Sequence, residues 1–156
     1  MSASTPEARL EALGLSLPPA PEAVANYVGL VRVGEIAFVS GHGPVEDGEL
    51  VYRGKLGRDM DTETGRKAAQ LVMLNLLASL KAELGELDRV ERVVKLLVMV
   101  NSAPDYAEQP LVANGASDLL VEIFGEERGK HARSAVGMGA LPYGISVEIE
   151  GIFQVR

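Results

Sequence analysis

The sequence predicts an α+β fold, one sheet with two helices packed on a single face. Two long stretches carry apolar residues at spacings of three and four, the stripe of a helix lying on a sheet: Ala69, Val72, Met73, Leu76, Leu77, Leu80 and Leu84, then Val112, Ala116, Leu119, Leu120, Ile123 and Phe124. Between them Val93 to Val100 is apolar apart from Lys95, as a central strand would be. Near the end Ile145, Val147, Ile149 and Phe153 alternate with Ser146, Glu148 and Glu150, the period of a strand with one face inward. Two helices cannot cover both faces of a five- or six-stranded sheet. The second face therefore meets water or protein, and the apolar central strand favours protein.

Each element has its own punctuation. Thr5 before Pro6 and Glu7 starts a short helix of about Pro6 to Leu13 that Gly14 ends. The run Leu17-Pro18-Pro19-Ala20-Pro21 follows as an extended connector, so residues 1–24 read as an N-terminal helix and Pro-rich extension to a domain of residues 25–156. Tyr27 to Val33 and Glu35 to Ser40, split by Gly34, read as a hairpin. His42 to Asp61 is Gly-rich and charged, a loop with a short strand near Leu50 to Tyr52. Asp61 or Thr62 caps the first long helix and Gly85 stops it. The second starts near Asp105 or Pro110 and stops at Gly125. Residues 131–151 read as two strands joined by Pro142-Tyr143-Gly144.

Composition excludes several functions. A length of 156 residues is one domain, and the formal charge of −7 argues against a sequence-independent grip on nucleic-acid phosphates. Aromatics are 4% of the chain and Trp is absent, a poor platform for base stacking. No Cys is present, so no disulfide, thiolate metal site or thiol nucleophile arises. His42 and His131 are too isolated to suggest a zinc site, and His42 reads as an exposed loop residue. With neither a signal-peptide pattern nor an apolar run of membrane-spanning length, the expectation is a soluble cytoplasmic protein.

Arg133 opens a strand of small and apolar residues, where an unpaired charge is costly. It needs an anion: a structural Glu, or a carboxylate or phosphate gripped by its two-pronged guanidinium. The residues around it resemble the end of the Rid/YjgF family of reactive intermediate deaminases: Ala132-Arg133-Ser134, then Leu141-Pro142, then Val147-Glu148-Ile149-Glu150. Tyr27-Val28 and Val39-Ser40-Gly41 extend the resemblance, which covers roughly Ala25 to the C-terminus.

The resemblance implies a chorismate-mutase-like fold assembled as a homotrimeric barrel, with three sites at the clefts between subunits. It also implies hydrolysis of enamine and imine intermediates (2-imino acids) to a 2-keto acid and ammonia, with no metal or organic cofactor. By the same resemblance Arg133 binds the substrate carboxylate and Glu148 orients water. Tyr27, Ser40, Gly41 and the backbone of Ala135 line the cleft, and Asn114 joins them, with Ser117 a competing choice. Ala135 stands where the family often has Cys, which together with the 42–61 loop suggests a divergent subgroup. One rival reading is a non-catalytic trimer that binds a carboxylate metabolite. The other is endoribonuclease activity, against which charge, few aromatics and the lack of a paired His argue. If residues 131–151 form a tight hairpin, Glu148 faces Gly137 rather than Arg133, and the two proposed site residues stand apart.

Overall fold

The computed structural model describes residues 4–156. In chain order they form α1 (Pro6–Ala12), β1 (Leu30–Val33), β2 (Ile36–His42), β3 (Val45–Glu46), β4 (Glu49–Leu50), α2 (Thr62–Leu84), β5 (Val90–Asn101), α3 (Gln109–Gly129), β6 (Ala132–Met138) and β7 (Val147–Val155). Five strands make one sheet in the order β1-β2-β7-β5-β6, and β3-β4 is a separate small hairpin. Among these described strands only β5 and β6 pair in parallel, as expected when α3 carries the chain back beside the strand it left.

Helix α2 starts and stops where the sequence places it, whereas α3, expected to stop at Gly125, runs on to Gly129. Asp61 caps α2 by accepting the Thr64 N–H at 2.8 Å, and Gly85 ends it in a left-handed conformation (φ 88°). Helix α3 breaks at Gly125 (φ 83°) and continues for one more turn. The two helices cross closely because Gly115 has no side chain: a Cβ there would lie 2.0 Å from the Arg66 carbonyl oxygen. Their apolar stripes, with Val93, Leu96, Val98, Val100, Val147, Ile149 and Phe153, form one buried core. Each such large side chain contributes roughly 1.5–3 kcal/mol. Helix α1 docks on the outside of this layer through buried Leu10, and the Glu7 carboxylate accepts the Leu87 N–H at 2.8 Å.

All the helices lie on one side of the sheet. On the other side Val31, Val33, Phe38 and Val136 are exposed, with Leu97 and Met99 half-buried among them. The open, apolar second face that the helix count requires is thus present.

Three readings change. β1 begins at Leu30, so Tyr27 lies in the bend before the strand rather than in it. The loop after His42 contains a two-residue hairpin turn at Asp47 (φ 51°) and Gly48 (φ 81°), with its second strand at Glu49–Leu50. The tight hairpin weighed for residues 131–151 does not form, because β5 lies between β6 and β7 and pairs with both. The end of β5 holds the connection that crosses it. The Asn101 N–H donates to the Ser146 carbonyl at 2.8 Å, and its Nδ2 donates to the Ile145 carbonyl at 3.0 Å.

Candidate functional site

The residues singled out by sequence fall into two groups on opposite faces of the sheet. Arg133 sits beside Leu96 of β5, whose side chain is buried under the helices, and its own side chain reaches α3. Glu148 sits beside Met99, one strand over and on the open face. Separated by β5 and by the thickness of the sheet, the two cannot act on one small molecule within a single chain.

On the helix side, the Arg133 Nη1 donates to Asn114 Oδ1 at 2.9 Å and to Ser117 Oγ at 3.1 Å, and Nη2 donates to the Pro110 carbonyl at 3.4 Å. All three acceptors are neutral. Asn114 and Ser117, competing choices in the sequence, lie one helical turn apart on α3 and both hold the guanidinium. Ser117 also bonds His131 Nε2 at 2.9 Å, while the His131 Nδ1–H donates to the Gly129 carbonyl at 2.7 Å. No carboxylate among the described residues forms an ion pair with Arg133, so the structural Arg–Glu pair is not made within the chain. Ala135 lies two residues on along the same face, packed against the core.

On the open side is a cleft of about 440 Å³ whose lining includes Tyr27, Ser40, Gly41, Tyr143 and Glu148. Gly41 falls in an irregularity of β2 between Val39 and His42, and a Cβ there would stand 2.8 Å from Glu148 Oε1. The missing side chain is what lets the carboxyl lie across the strand. Glu148 is half-buried; burial raises its carboxyl above the ordinary value of 4.5, and the neighbouring Glu150 raises it further. Tyr27 is 52% exposed at the cleft wall. The Ser40 hydroxyl donates to the Val28 carbonyl at 2.6 Å, which leaves its lone pairs rather than its proton for a ligand.

His42 is not an exposed loop residue. It is buried at the end of β2, where its Nδ1–H donates to the Ser40 carbonyl at 2.6 Å and its Nε2 accepts from the Ser79 hydroxyl at 2.8 Å. Burial lowers its basicity, so it is a neutral support beneath the cleft floor.

Sequence reasoning passed over two residues. In the sequence His131 stands out only for its isolation from other histidines, although its place two residues before Arg133 puts both on one strand face. Tyr143, 71% exposed, stands on the cleft rim with a left-handed backbone (φ 57°) next to Gly144 (φ 70°). A non-glycine residue held there is strained, and the Pro-Tyr-Gly turn was the available signal.

Comparison with known proteins places this arrangement in a class. The solved structure of Atu1372 from Agrobacterium tumefaciens superposes with a TM-score of 0.91 at 44% identity, covering 97% of this chain and 92% of that one. Protein TCP17 of Trypanosoma cruzi is 45% identical over 149 residues, 96% of this chain and 93% of its own. The E. coli TdcF structure, solved with bound serine, has a TM-score of 0.62 at 25% identity, covering 88% and 93%. Residues 7–147 match the family model described as "YjgF/chorismate mutase-like, putative endoribonuclease". The chain belongs to the YjgF family.

Proposed function

We propose that this protein is a hydrolytic deaminase of 2-imino acids whose site is completed by a second copy of the chain, in a homotrimer. One observation carries the reading. The protomer holds a cation without an anion on one face, Arg133 among neutral oxygens, and an acid without a cation on the other, Glu148 in its cleft. A small anionic substrate lying between copies satisfies both. The exposed apolar sheet face supplies a surface for the assembly.

The chemistry follows from the two groups. The substrate carboxylate takes the remaining N–H groups of Arg133 in charge-assisted bonds. Water held by Glu148 adds to C2 of the iminium as the C=N π pair moves onto nitrogen. Glu148 accepts the proton lost by that water and returns it to nitrogen. The C–N bond then breaks as the C2 hydroxyl oxygen forms the carbonyl, and the hydroxyl proton leaves with ammonia as ammonium. A carboxyl raised by burial holds a proton more readily than an ordinary one, which suits a group that must take a proton and return it. Imines also hydrolyse unaided, so orientation and modest proton transfer suffice.

A non-catalytic carboxylate-binding role uses the same arginine. The bound serine of E. coli TdcF, an amino acid with an α-carboxylate, fits either role in this chain. Ammonia release from freshly generated 2-iminopropanoate and longer imino acids, with and without protein, decides between them. Acceleration supports the deaminase. Keto-acid binding without acceleration leaves the binding protein.

A further inference from the structure

We propose that His131, acting through the Ser117 hydroxyl, is a positioning residue for Arg133, setting the direction of the guanidinium and making its hold on a carboxylate depend on pH. This rests on the reading of Arg133 as carboxylate anchor. The Gly129 carbonyl can only accept, so it fixes the His131 proton on Nδ1 and leaves Nε2 a bare acceptor. Ser117 therefore donates its one proton to Nε2, which turns a hydroxyl lone pair toward Arg133 Nη1 at 3.1 Å. The backbone of α3 thus dictates, through one imidazole and one hydroxyl, where the guanidinium points.

Protonation of His131 changes that chain. Nε2–H then donates to Ser117 Oγ, and two cations converge on one oxygen. Burial, opposed by the Gly129 bond and reinforced by the Arg133 charge, holds the imidazole below its ordinary value of 6.5, so it is neutral at pH 7 and above. A carboxylate on Arg133 cancels part of that positive charge and raises the His131 pKa. Binding therefore takes up protons and tightens as pH falls through the imidazole range. The other charges around His131 are Asp118 of α3, paired with Arg66 at 2.9 Å, and Lys130, paired with Glu126. Lys95 of β5 is in register with Ala132. In the assembled site Glu148 of another copy also titrates nearby, so the test uses the Glu148→Gln protein.

Calorimetric titration of 2-ketobutyrate between pH 5.5 and 8 tests this in Glu148→Gln alone and combined with His131→Leu, His131→Gln, Ser117→Ala or Arg133→Lys. His131→Leu should weaken binding about three- to tenfold at pH 7.5, the scale of one net hydrogen bond. His131→Gln, whose side-chain oxygen accepts from Ser117 but does not titrate, should restore affinity and lose the tightening at low pH. In the Glu148→Gln protein the His131 ring resonance, one of two histidines in the chain, should titrate at higher pH once 2-ketobutyrate is added. An unmoved resonance, or equal affinity and pH slope in His131→Leu, overturns the inference while loss of binding in Arg133→Lys keeps the anchor reading. Unchanged binding in Arg133→Lys overturns that reading itself.

Discussion

The two flanks of this protomer are built in opposite ways. The Arg133 flank is rigid and over-determined: three acceptors from α3 hold one side chain, and a half-buried imidazole fixes one of them. The Glu148 flank is spare. Its carboxyl has no hydrogen-bond donor among the described residues, lies over a glycine, and borders a cleft walled partly by the segment before β1 and the Tyr143 turn. An anchor gains from fixed geometry, because a guanidinium pointed in advance loses little freedom when it binds. A proton carrier gains from partial burial and freedom from a permanent partner, since a fixed cation would pull its pKa down. The contrast between the flanks follows the division of labour proposed for them.

The sharpest way to break the comparison is to keep both flanks and remove the assembly. Phe38, 47% exposed on the open face, replaced by Glu should give a monomeric mass by light scattering with native circular dichroism and no acceleration of imine hydrolysis. Full activity in such a monomer would mean that one flank suffices. Next in size, Glu148→Gln should lower turnover by about 10²-fold, the low end for acid–base help, while calorimetric binding of pyruvate persists. Arg133→Lys should lose roughly 10- to 150-fold in keto-acid affinity, because a point charge does not reproduce the fork.

The smallest effect is in pH dependence. Protonated Glu148 is inactive as a base, so turnover above the spontaneous background should fall as pH drops through its pKa. Because burial raises that pKa above 4.5, the fall should begin at a higher pH than an ordinary carboxylate gives. Glu148→Gln should lack this limb of the pH–rate profile.

Much of the fold was legible because its signals are local. Asp61 and Gly85 bound α2 through cap chemistry, and the apolar stripes reported which helix faces are buried. What the sequence could not report is pairing across the chain. Nothing in residues 131–151 says that β5 inserts between β6 and β7; that depends on a crossover through α3 and on both edges of one long strand. His42 misled because a Gly-flanked histidine looks like a loop, whereas its burial depends on Ser79, thirty-seven residues away. The Asp47-Gly48 turn was readable and passed over. For the site, Arg133 and Glu148 stand out by residue type and by family resemblance. Their placement on opposite faces follows only from the register with Leu96 and Met99.

The central claim is that the anchor and the proton carrier of one site come from different copies of this chain. Subunit complementation tests it most directly. Arg133→Ala and Glu148→Ala proteins, each inactive alone, are co-expressed with different tags, purified through both tags, and assayed for ammonia release. The account predicts recovery toward roughly a third of parent activity, since in a ring of three that holds both variants one interface in three joins two intact halves. Mixed assemblies that form and stay as inactive as either variant would show that both groups serve the same chain, and would contradict it.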